Sequence, residues 1–144
     1  MGGKRELIMK YFGINDIEVG MSATVTNKIT DESVRNFADL SGDHNPVHLD
    51  EGYAQQSRYK RRIAHGLLSS SFFSALFGTE LPGQGCVYAS QSLRFKRPVY
   101  INDIVVATVT VMGINKAKKI VTFSTICTVN DKKVIEGLAE IFIP

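Results

Sequence analysis

The chain has 144 residues, 44% of them hydrophobic, and a formal net charge of +3. That length suits one compact domain spanning residues 1–144 around a single core, with no composition shift or internal repeat to mark a second. The modest positive balance excludes the clustered basic field of a nucleic-acid binder and suits a small anionic ligand.

At the start of the chain, Met1 to Ile8 lack a long apolar stretch with a small-residue cleavage site, which predicts no export signal or lipid anchor. Residues Ser22 to Thr30 are rich in β-branched side chains with apolar positions at Ala23, Val25 and Ile29, the pattern of a first strand. Thr30-Asp31-Glu32-Ser33 then offers an N-cap and acidic first-turn residues. Val34, Phe37, Ala38 and Leu40 continue at helical spacing until Gly42 stops the helix. Between Gly42 and Leu49, Pro46 removes a backbone donor and biases Asn45 away from helical angles, so a rigid, non-helical loop is expected. Asp50 is placed to cap a second short helix.

Beyond the basic stretch Arg58 to Arg62, residues Ile63 to Leu81 are apolar almost all round and have no proline before Pro82. They predict a long helix buried on all sides, too broken by Ser69, Ser70, Ser71 and Ser74 to span a membrane. From Gly85 onward the chain reads as strands: Cys86–Lys96, Asp103–Ile114, Lys119–Asn130 and Lys133–Ile143, separated by turn residues. The alternation through Ile104, Val106, Thr108 and Thr110 suits an antiparallel sheet with one face covered. The fold class is therefore α+β, an antiparallel sheet of about five strands wrapped around one long helix. Cys86 and Cys127 are isolated, with neither metal-site spacing nor the density of a secreted scaffold, which points to a reduced, cytoplasmic setting.

Chemistry concentrates in Ser41-Gly42-Asp43-His44-Asn45-Pro46-Val47-His48. A plain alternative is a polar turn, with Asp43 and Asn45 bonded to nearby backbone. A metal site is a second alternative, but Pro46 argues against the continuous helix that would put His44 and His48 on one face. Nucleophilic catalysis has little support: Ser69-Ser70-Ser71 lacks a glycine elbow, and both cysteines lie far from the histidines in sequence. General acid/base work needs one carboxylate and one imidazole facing the same small volume, and a rigid loop bearing Asp43 and His48 supplies that. Ala64-His65-Gly66 opens the long helix. The N–H of Gly66 there either serves a ligand oxygen, as an oxyanion hole, or the glycine simply allows close packing. His65 reads as a first-turn residue or local hydrogen-bond partner.

These two segments, with Phe37 to Leu40 before them and Gln91 to Phe95 and Pro98-Val99 after, resemble the MaoC-like, R-specific enoyl-CoA hydratases over residues 18–143. The Gly-Asp-x-Asn-Pro-x-His core is that family's hydratase signature. The resemblance implies a hot-dog fold, usually a homodimer with sheets joined edge to edge, and reversible syn addition of water to a trans-2-enoyl-CoA. It also implies that Asp43 and His48 hold and activate the water, Gly66 N–H binds the thioester oxygen, Asn45 shapes the loop and Ser74 supports the pair. No metal or cofactor is implied, coenzyme A being part of the substrate. By charge, Arg58, Lys60, Arg61, Arg62, Arg94, Lys96 and Arg97 are the candidate partners for its phosphates, with Lys96 and Arg97 singled out because they end a strand; Leu67, Phe72, Phe73 or Phe77 are the candidates for the acyl chain. A hot-dog thioesterase, a dehydratase acting on carrier-protein substrates and a non-catalytic acyl-CoA-binding module are the competing functions.

Overall fold

The computed structural model describes residues 10–144. The reading of Met1 to Ile8 lies outside them. A six-stranded antiparallel sheet runs in the order β1 (Ser22–Lys28), β4 (Ile104–Asn115), β5 (Ile120–Val129), β6 (Lys132–Phe142), β2 (Val87–Gln91), with β3 (Arg94–Phe95) also paired to β6. Among the described residues four α-helices precede β2: α1 (Asp31–Ser41), α2 (Pro46–Leu49), α3 (Glu51–Gln56) and α4 (Gly66–Thr79).

Turn chemistry sets the helix ends. Thr30 accepts from Ser33 N–H at the start of α1, and Gly42 ends it in the left-handed region at φ 81, where a side chain would be strained. Asp50 caps α3 by accepting from Tyr53 N–H. The segment expected to be wholly non-helical contains one helical turn, α2. Pro46 stands at its first position, where a missing N–H costs no intrahelical bond, and Asn45 caps it by accepting from Val47 N–H at 3.2 Å.

Helix α4 lies across the sheet and contacts β1, β2, β4, β5 and β6. Phe73, Leu76 and Phe77 are at most 2% exposed, and Phe77 meets Phe123 of β5 edge-on at 4.8 Å between ring centroids. Burying each such side chain contributes roughly 1.5–3 kcal/mol. On β4 the covered face takes the odd positions Val105, Ala107, Val109 and Val111, leaving Ile104, Val106, Thr108 and Thr110 on the other.

Of the apolar run Ile63 to Leu81, Gly66–Thr79 is helical, opening at the Gly66 that the sequence marks, because Ala64 N–H donates to Val99 O at 2.7 Å and Ile63 bridges Tyr100, holding the chain extended against the sheet. Two expectations are corrected. The helix is not buried on all sides: Leu67, Ser71, Ser74 and Ala75 are exposed. The sixth strand arises where the single expected strand Cys86–Lys96 breaks at Ser92. There Ser92 turns to β6, donating its N–H to Leu138 O and accepting from Leu138 N–H through its hydroxyl.

Gly137 of β6 faces that break so closely that a Cβ would stand 1.8 Å from the Ser92 carbonyl oxygen. Gly137→Ala therefore forces backbone apart and is expected to cost about 1–3 kcal/mol, read as a lowered Tm in thermal unfolding. An unchanged Tm would contradict this close approach.

Candidate active site

Asp43, in the turn after α1, and His48, the third residue of α2, reach one cleft. Three short-range bonds shape that turn: Asp43 N–H donates to Ser41 Oγ, Asn45 N–H to Asp43 Oδ1, and Val47 N–H to Asn45 Oδ1, at 3.1, 3.1 and 3.2 Å. The polar-turn alternative thus describes real bonds, yet it occupies only one carboxylate oxygen. Asp43 Oδ2 is left to face His48 Nε2 at 3.9 Å.

The tautomer of His48 follows from its other nitrogen. Nδ1 lies 2.7 Å from the carbonyl oxygen of Ile63, which only accepts, so Nδ1 carries the hydrogen and Nε2 presents a lone pair. The gap from Nε2 to Oδ2 is too long for a direct hydrogen bond. It matches two acceptors sharing one oxygen atom at about 2.8 Å each. Burial lowers the His48 pKa below 6.5, with neighbouring His65 acting in the same direction, against the Ile63 bond and Asp43. Arg62 holds the backbone here, its Nε donating to His48 O and its Nη1 reaching Asp31 Oδ1, both at 2.7 Å.

The cleft has a volume of about 480 Å³ and takes in Asp43, His48, His65, Gly66 and the apolar walls Phe37, Leu67, Phe95, Val99 and Ile135. Gly66 is the first residue of α4, His65 makes no side-chain cap, and among the described residues no acceptor meets the Gly66 N–H. A donor at the positive end of a helix is therefore open to a ligand oxygen. A Cβ at this position would lie 2.4 Å from the Phe95 ring, so a bare Cα is what lets Phe95 close over it.

Lys96 and Arg97 also line the cleft, Lys96 pairing with Glu136 at 3.1 Å. Arg58, another of the candidates by charge, joins them, and so does Tyr59, which no local motif marks in the sequence. Ser74 stands apart. Eight residues beyond Gly66, it is turned about 80° round the helix axis, lies on the exposed face and makes no hydrogen bond to Asp43 or His48. Of the four side chains expected along an acyl chain, only Leu67 reaches the cleft, Phe73 and Phe77 being spent on the core.

Asp43, His48 and His65 each offer an atom within 4.8 Å of the others, a donor set with the chemistry of a metal site. Their geometry is different. The His48 and His65 rings stack at 3.8 Å with 28° between planes, and each has one nitrogen engaged by a main-chain carbonyl, so the two imidazoles lie face to face and not spread around a centre as tetrahedral ligands are.

Residues 15–136 match the model of the MaoC like domain, and the chain belongs to that family. It is 52% identical over 139 residues to an "(R)-specific enoyl-CoA hydratase" of Rhodospirillum rubrum, covering 96% of this chain and 95% of that protein. Identity is 40% to a "3-hydroxybutyryl-CoA dehydratase" of Methylorubrum extorquens, over 96% of this chain and 87% of the relative. Among solved structures, the (R)-hydratase of A. caviae involved in PHA biosynthesis superposes with a TM-score of 0.87 at 39% identity, covering 89% of this chain and 98% of that one. The fold is accordingly the hot-dog fold of these hydratases.

The two histidines of the turn should separate in an NMR titration. Burial disfavours charged His48, so its midpoint is expected below 6.5; exposed His44 gains Asp39 as a partner at 3.1 Å, so its midpoint is expected above 6.5. Reversed order would contradict the environments described.

Proposed function

We propose that this chain is an (R)-specific enoyl-CoA hydratase, a hydro-lyase catalysing reversible syn addition of water to a trans-2-enoyl-CoA to give an (R)-3-hydroxyacyl-CoA. The observation that carries this is the 3.9 Å gap between Asp43 Oδ2 and His48 Nε2, two acceptors facing one another in a cleft that also holds the Gly66 N–H. The names of the R. rubrum and A. caviae relatives support it.

Water between two acceptors donates one hydrogen to each, which aims an oxygen lone pair out of the pair toward the substrate. The β-carbon becomes electrophilic as charge moves onto the thioester oxygen, and Gly66 N–H with the α4 dipole stabilises that charge; one such donor is typically worth about 2.7–4 kcal/mol. The water oxygen bonds to the β-carbon, one of its hydrogens stays as the hydroxyl hydrogen, and the other passes through the pair to the α-carbon. Nothing is left on the enzyme. No metal or organic cofactor takes part in this scheme.

Coenzyme A phosphates meet Lys96 and Arg97 at the rim, with Arg58 as a further cation, and the acyl group meets Leu67, Phe37 and Phe95. Homodimerisation fits the same picture. Strand β2 ends the sheet order, and Val87, Tyr88 and Leu138 near it, with Leu67 on α4, leave large apolar side chains 39–59% exposed. Ser74 belongs to that uncovered helix face. Two unpaired cysteines agree with a reducing, cytoplasmic setting.

With crotonyl-CoA, loss of the conjugated-enoyl absorbance without release of thiol is expected. Thiol release at a comparable rate would mean hydrolysis instead, and activity only on carrier-protein thioesters would move the assignment to the carrier-linked dehydratases. Asp43→Asn and His48→Gln are each expected to lower kcat by about 10²–10⁴ with the fold intact; near-normal turnover in both would remove the pair from the mechanism. Replacing Lys96 and Arg97 together by Ala should raise KM for the CoA thioester more than it lowers kcat, and an unchanged KM would displace the phosphates from this rim.

A further inference from the structure

His65 is a histidine in the cleft that the proposed chemistry does not use. It is 3% exposed, its ring lying between Phe37 at 4.8 Å and His48 at 3.8 Å. Its Nε2 lies 3.0 Å from the main-chain oxygen of Asp43, which only accepts, so the hydrogen sits on Nε2 and Nδ1 presents a lone pair. That Nδ1 is buried and has no partner among the described residues. An apolar ring would fill the same space without burying an unmet acceptor. What imidazole supplies beyond such a ring is the Nε2–H bond to Asp43.

That bond has unusual leverage. Asp43 directly follows Gly42, whose left-handed backbone ends α1, and among the described residues no other group donates to the Asp43 carbonyl. Its peptide plane, and with it the direction of the carboxylate, is anchored from 22 residues away by His65. The same ring lies flat on His48, whose plane is otherwise set by a single bond to Ile63 O. One buried side chain therefore touches both members of the pair.

We infer that His65 is a positioning residue that holds Asp43 and His48 at water-bridging separation, through its Nε2–H bond to the Asp43 carbonyl and its stack on His48. It exchanges no proton with substrate. The inference rests on Asp43 and His48 being the acid/base pair.

Two substitutions divide the roles. His65→Phe keeps the ring and loses the donor; His65→Gln keeps a donor at the same point on the side chain and loses the ring. His65→Phe is expected to lower kcat by about 10–100-fold, the scale of a misplaced reacting group, with KM within about threefold of the unsubstituted enzyme. His65→Gln should recover most of that loss. In the Asp43→Asn background His65→Phe should add little, because it acts through Asp43. Full turnover by His65→Phe, or His65→Gln no better than His65→Phe, overturns the inference. Should His65→Phe fail to fold, ¹⁵N NMR of the unsubstituted protein at alkaline pH decides: a protonated Nε2 on His65 upholds it and a protonated Nδ1 overturns it. Inactive Asp43→Asn beside fully active His65→Phe would remove this inference alone, whereas active Asp43→Asn would remove the pair itself.

Discussion

The site depends on how the extended segment from Arg62 to His65 is hydrogen-bonded between the helical layer and the sheet. Ile63 N–H donates to Val47 O, Ile63 O accepts from His48 Nδ1, and Ala64 N–H donates to Val99 O beside the sheet. Arg62 closes the circuit from the side-chain direction by donating to His48 O while paired with Asp31 at the start of α1, which holds the Asp31 pKa below the ordinary carboxylate value. Because a carbonyl oxygen cannot donate, each of these bonds also fixes where hydrogens reside. The lone pair on His48 Nε2 is thus decided by main chain fifteen residues away.

Within that frame, Asp43 serves two masters with two oxygens. Oδ1 belongs to the turn, where it accepts from Asn45 N–H, and Oδ2 belongs to the cleft. His48 is divided in the same manner between Ile63 and the cleft. Groups tied at one end and free at the other lose little orientational freedom when a water arrives, the physical meaning of preorganisation. The α4 N-terminus completes the arrangement by an omission: no side chain caps it, so a donor that most helices satisfy locally stays available.

The chemistry-bearing residues were legible because they are local. Ser41 to His48 encode their own turn through Asx-type bonds and a proline at the first position of α2, and Gly66 marks a helix start beside a histidine. The strand pattern was legible for the same reason, alternation being a property of neighbours. Less legible was the buried helix. Apolarity on every side of α4 predicts burial on every side, yet a single chain has material to cover only part of it, and Leu67, Ser71, Ser74 and Ala75 stay exposed. Nor does alternation reveal the break at Ser92, where the main chain closes on Gly137 of another strand.

By itself, the sequence determined an α+β domain with a polar turn bearing a carboxylate and an imidazole, and a helix opening at Gly66. Those follow from propensities and spacings that act within a few residues. Only the tertiary structure decided that Asp43 Oδ2 and His48 Nε2 face each other at 3.9 Å, that His65 turns inward beneath them, and that Arg58 joins Lys96 and Arg97 at the rim. These depend on carbonyls, rings and strands brought together from distant parts of the chain. Their partners are chosen by packing, which no local pattern records.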